Sequence, residues 1–130
     1  MVREKAQAST SILAIVAAAR VAVGATMILA PSRIFSPGSG TEILLMRTIG
    51  IRDLVLGSGA CAAWVRGEEG ELQRWATVGL TSDGADLVTG LRSKPLVGAR
   101  SALIATLSPV PFVAAGILGL TRGRRVATRT

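Results

Sequence analysis

The stretch Thr10-Ser-Ile-Leu-Ala-Ile-Val-Ala-Ala-Ala-Arg20-Val-Ala-Val-Gly-Ala-Thr-Met-Ile-Leu-Ala30 decides how this chain is read. It is predominantly apolar, Arg20 is its single charge, and Pro31 closes it. An α-helix rises 1.5 Å per residue, so roughly 20 such residues cross about 30 Å of hydrocarbon. A signal peptide would also begin with basic residues ahead of an apolar core. Arg20 inside the core, and the lack of a small-x-small cleavage site, argue against that.

Working outward, three further apolar runs have spanning length: 43–65, 72–91 and 101–121. Between the first and second lies Pro31-Ser-Arg-Ile-Phe-Ser-Pro-Gly-Ser-Gly40, which is loop chemistry. Arg66-Gly-Glu-Glu-Gly-Glu71 reads as a charged turn and Arg92-Ser-Lys-Pro-Leu-Val-Gly98 as a loop. Short connections imply antiparallel neighbours. The expectation is an all-α polytopic membrane protein, one domain over residues 1–130, built as an antiparallel four-transmembrane-helix bundle with spans at 10–30, 43–65, 72–91 and 101–121.

Composition agrees. Of 130 residues, 49% are hydrophobic and only 18% charged, which excludes a disordered tail. Mean hydropathy is +0.50. With no His and a single cysteine, Cys61, no His-ligated metal site, zinc motif or internal disulfide is available. No phosphate-binding loop or nucleophile–base pair occurs, and no cofactor is expected. A soluble four-helix protein is the main rival, because Arg47, Arg52 and Asp53 cost about 8 kcal/mol at mid-membrane. The eight Leu, Ile and Val residues of 43–56 return about 4 kcal/mol. Against that rival, the first and fourth runs lack the broad polar face a soluble bundle needs.

Lys and Arg near the span ends set orientation. The N-terminus, the second loop and the C-terminal tail carry Arg3, Lys5, Arg66, Arg74, Arg122, Arg124, Arg125 and Arg129. The opposite side carries Arg33, Arg92, Lys94 and Arg100. Both termini are therefore expected in the cytoplasm, in a multi-pass protein of the inner membrane. The pI of about 11.5 then reflects topology and contact with anionic lipid rather than nucleic-acid binding, for which stacking aromatics are missing.

Six ionisable residues lie well within the spans, away from their ends: Arg20, Arg47, Arg52, Asp53, Asp83 and Asp86. Matching depths pair Asp86 with Arg47, and Asp83 or Asp53 with Arg20 or Arg52. Gly79, Asp83, Asp86 and Gly90 share one helix face, as do Gly50, Asp53 and Gly57. Glycine on such a stripe admits a neighbouring helix closely, so both stripes are expected inside the bundle. Pro109 and Pro111 remove the partners of the Ala105 and Leu107 carbonyls and are expected to kink the fourth span, with Arg side chains, Thr106 and Ser108 nearby to satisfy them.

Arg47-Thr-Ile-Gly50-Ile-Arg52-Asp53 and Asp83-Gly-Ala-Asp86 together resemble a family of small actinobacterial membrane proteins of unknown function. That family has four helices, R-x-x-G-x-R-D in the second, D-x-x-D in the third, and an arginine in the first that Arg20 matches. The likeness covers about residues 12–120 and implies a fold and a topology, with no activity attached.

Intramembrane charges mark a functional site by default. The reading is a binding protein whose Arg/Asp core takes an amphipathic, lipid-like ligand or supports a membrane complex. It would associate with the lipid bilayer and with a complex partner or a second copy, through Ala14/Ala18/Ala22 or Ser58/Ala62. The alternatives are an enzyme on a lipid or isoprenoid, with Asp83 or Asp86 as general acid or base, and a proton or ion pathway.

Overall fold

A computed structural model describes the backbone of residues 2–107 and 109–127 and the side chains of residues 7–93, 95 and 109–121. These residues are helical, with no strand among them. The helices are α1 (Val2–Leu29), α2 (Gly40–Val65), α3 (Glu69–Leu107) and α4 (Val110–Ala127).

Local chemistry sets the ends. Pro31 stops α1 and opens a short 3-10 turn, Pro31–Arg33. Ser39 caps α2 by accepting from the Glu42 amide at 3.2 Å, while the Glu42 carboxylate accepts from the Gly38 amide. At the far end of α2, Gly67 adopts φ 71°, donating to Trp64, and Glu68 donates to Ala63. Those two bonds form a Schellman cap, which only glycine enters without cost at that φ. It turns the chain directly into α3.

Two expected boundaries differ. The segment expected as a loop, Arg92–Gly98, is helical, and α3 continues through Pro95. Yet α3 is not a straight rod. Asp83 of α3 and Phe112 of α4 both touch the Arg20 guanidinium. A straight helix would carry Leu107 about 36 Å beyond Asp83, and the five residues to Phe112 span at most about 18 Å. The axis must turn in between, and Pro95, which lacks the N–H of a helical hydrogen bond, lies within that stretch. The second difference is the expected fourth span, 101–121, which is not one kinked helix. The helix ends at Leu107 and α4 starts afresh at Val110. Pro111 falls in its first turn, where a missing N–H costs nothing, and Val113 donates to the Pro109 carbonyl at 2.9 Å. Ser108 and the Thr106 side chain lie outside the described residues.

α1 packs on α2 and α4, and α3 closes the ring against the same two. Neighbours run antiparallel: Gly24 meets Gly50, while Gly57 meets Ala17 and Val21. Buried positions recur at 3.5-residue spacing: Leu13, Ala17, Arg20, Gly24 and Met27 on α1, and Met46, Gly50, Asp53, Gly57 and Ala60 on α2. That period is the seam of left-handed helix packing. Small residues let the axes approach: a Cβ on Gly24 would lie 2.6 Å from the Gly50 carbonyl oxygen, and one on Gly50 2.8 Å from the Gly24 oxygen.

Among the described residues, one helix is by length and composition apolar enough to cross a membrane, over Gln7–Leu29, with mean hydropathy 2.3; Val110–Thr121 is a shorter apolar helix. α2 is as long but carries Glu42, Arg47, Arg52 and Asp53. Large apolar side chains point outward on every helix: Ile15 and Leu29, Leu44 and Val55, Val78 and Leu91, Ile117 and Leu118. Of the small-residue faces expected to self-associate, Ala18, Ala22 and Ser58 are exposed, Ala62 is half-buried, and Ala14 is buried within the bundle.

Candidate functional site: a buried arginine–aspartate cluster

The seam of each of the first three helices carries a charge at its middle. Arg20 lies between Ala17 and Gly24, Asp53 between Gly50 and Gly57, and Asp83 one turn beyond Gly79; all three are buried, and Asp83 is fully sealed from solvent. Equal spacing from flanking small residues is what brings them together, since close axes leave side chains of this length nowhere else to reach.

The Arg20 guanidinium is the hub. Nη1 donates to Asp53 Oδ1 at 2.9 Å and to Asp83 Oδ1 at 3.3 Å, and Nη2 donates to Asp83 Oδ2. The Phe112 ring lies 4.6 Å from Arg20 Cζ, a cation–π contact that brings α4 into the cluster. Gly79 makes room for the guanidinium, because a Cβ there would come within 3.3 Å of Nη2. One side chain thus touches groups from all three other helices.

Arg52 forms a second, shallower node. Its Nη2 donates to Asp53 Oδ1 at 3.0 Å and lies 3.5 Å from Asp83 Oδ1, while Nη1 donates to Asp86. The Arg52 side chain is 26% exposed and that of Asp86 35%, so this pair forms the open edge of the cluster. Arg52 Nε is buried with no acceptor among the described residues.

Five of the six expected residues therefore meet: Arg20, Arg52, Asp53, Asp83 and Asp86. Arg47 does not. It is exposed and forms no ion pair among the described residues, and the expected Arg47–Asp86 pair is replaced by Arg52–Asp86. Matching depth brought Arg47 to the right height, but its direction around α2 is wrong. The expected balance of three cations and three anions becomes two guanidiniums against three carboxylates.

Sequence reasoning missed Phe112, Gly24 and the bond from Ser9 Oγ to the Gly119 carbonyl at 2.6 Å, which ties α1 to the far end of α4. Gly24 had a signal, since it follows Arg20 by four residues and so shares its face. Phe112 had only its rarity, as one of two phenylalanines. Clusters of three or more potential metal ligands do not occur among the described residues. No family model matches the chain, and no curated protein or solved structure matches it either.

Proposed function

We propose that this chain is a multi-pass protein of the inner membrane, with both termini cytoplasmic, that works by binding rather than by catalysis. Its Arg/Asp cluster clasps four helices together and offers the Arg52–Asp86 edge to the polar end of an amphipathic ligand or of a membrane partner. The exposed Ala18/Ala22 strip of α1 is the surface on which a second copy would pack. Kinship with the small actinobacterial four-helix family belongs to the same proposal, supported by Arg52 and Asp53 of the R-x-x-G-x-R-D segment and both aspartates of D-x-x-D converging on one cluster, with Arg47 outside it.

One observation carries this reading: beside its apolar core the bundle buries charged groups at mid-helix while large apolar side chains face outward on every helix. Arg20, Asp53, Asp83 and Ser9 are buried, whereas Ile15, Leu29, Leu44, Val55, Val65 and Leu91 are exposed. Water would reward the reverse arrangement, and lipid rewards this one. The catalytic alternative is weaker for Asp83, which is fully buried and engaged by Arg20; it would fall to Asp86, which is accessible at the edge but held by Arg52.

Membrane fractionation with an alkaline wash tests the reading, combined with a reporter fused to the C-terminus that fluoresces only in the cytoplasm. The expected result is a chain released by detergent alone, with a fluorescent reporter. Recovery in the soluble fraction without detergent would sink it.

The three-to-two ratio of carboxylates to guanidiniums favours a second reading, a proton pathway through the cluster. Asp83→Asn separates the two. A clasp loses thermal stability in detergent, and loses more than with Asp86→Asn at the open edge. A pathway leaves a folded protein that no longer takes up protons in liposomes.

A further inference from the structure

Away from the cluster, α3 and α4 part to leave a groove of about 780 Å³ lined by Gly70, Gln73, Arg74, Thr77, Val78, Leu80, Ile117, Leu120 and Thr121. The two helices are in contact where Gly116 faces Leu80, with ordinary van der Waals spacing, and the groove opens from there toward the α2–α3 turn.

Its chemistry is graded along its length. Val78, Leu80, Ile117 and Leu120 make an apolar wall. Thr77 and Thr121 spend their hydroxyl hydrogens inside their own helices, on the Gln73 and Ile117 carbonyls at 2.8 and 2.7 Å. Donors free for a ligand gather at the mouth, on Gln73 and Arg74, both exposed. Arg74 is paired with Glu71 at 2.6 Å, but both side chains are largely in solvent, and such a pair is readily exchanged for another anion. Among the described residues that line the groove there is no carboxylate, and Glu71 is the acidic group nearest its mouth. An apolar trough ending in a guanidinium and an amide has the polarity of half a phospholipid, with room for one acyl chain. The volume is within the usual range for small-molecule sites. The mouth lies at the end of the bundle where Trp64 is exposed and Arg66 follows, the level at which aromatic and basic residues meet headgroups.

We propose that this groove holds one phospholipid of the surrounding bilayer, its acyl chain between α3 and α4 and its phosphate on Arg74 and Gln73. The inference rests on the membrane reading above and concerns a different site from the Arg52–Asp86 edge. Arginine suits the role, since its planar fork binds phosphate oxygens in pairs and its stem lies along apolar surface.

The test is native mass spectrometry of the full chain in mild detergent, offered phosphatidylglycerol or a diacylglycerol with the same acyl chains and no phosphate. The wild type is expected to retain one phosphatidylglycerol per chain, at least about fivefold over diacylglycerol. Thr77→Trp, which fills the groove, abolishes retention of both lipids. Arg74→Ala, a change at an exposed position that leaves the fold intact, brings the ratio near one without lowering diacylglycerol retention. Equal retention of the two lipids by the wild type overturns the proposal, as does undiminished retention by Thr77→Trp. Loss of the phosphatidylglycerol preference on removing residues 122–130, with Thr77→Trp unaffected, also overturns it by assigning the lipid to the basic tail. A chain that is soluble before any lipid is added sinks the membrane reading instead, so the two failures are distinct.

Discussion

The α1–α2 contact and the α3–α4 contact solve the same problem in opposite ways. Along α1 and α2, glycines at 24, 50 and 57 bring backbone against backbone, and a Cβ on any of them would lie 2.6–2.9 Å from atoms of the other helix. Between α3 and α4, Gly116 faces only the Leu80 side chain, where an added Cβ would sit at 3.7 Å. The first pair has no free space and holds charges at its centre; the second has space and ends in a groove. Close approach of the axes is thus what forces Arg20 and Asp53 into contact, and looser approach is what leaves room for a ligand.

This contrast can be broken most severely at the hub. Arg20→Ala strands Asp53 and Asp83 without their main donor. It should cost about 3–5 kcal/mol, enough to abolish a cooperative melting transition in detergent followed by circular dichroism. Next come Gly24→Ala and Gly50→Ala, each expected to cost about 1–3 kcal/mol because the obstructing atoms include backbone. The same change at Gly116, where a Cβ meets only ordinary contact, should not lower the melting temperature, and equal losses at all three sites would refute the distinction between the two interfaces. Ser9→Ala removes the single bond tying α1 to Gly119 and should cost about 1 kcal/mol. The smallest effect has the opposite sign: Gly84 has nothing within 4 Å of its would-be Cβ, so Gly84→Ala should stabilise α3 by about 0.5–1 kcal/mol.

The sequence disclosed the four helices and most of the cluster because the relevant signals are local. Length and Pro31 bound α1, and the Gly50-Asp53-Gly57 spacing marks a face whatever that face packs against. Azimuth between charges was harder. Arg47 precedes Asp53 by six residues, which turns it about 120° from the seam, while Arg52 is about 100° to the other side. Both deviate enough that only the position of α3 decides between them, and that is set by the Schellman turn at Gly67. The region around Pro95 misled for a different reason. Proline and glycine there suggest a loop, but the helix runs on through Pro95. Phe112 was invisible because it reaches Arg20 from a separate helix that starts only at Val110.

The order of the charges along the chain has a consequence for biogenesis. Arg20 leaves the ribosome first, Asp53 follows 33 residues later, and Asp86 comes 34 residues after Arg52. In a chain threaded segment by segment into lipid, each newly made helix would bring a counter-ion to one already waiting. α2, too polar to partition on its own, would enter as the companion of α1, and α3 as the companion of both. Translocon-stalling arrest peptides placed after residue 65 would record that dependence as a loss of pulling force when Arg20 is replaced.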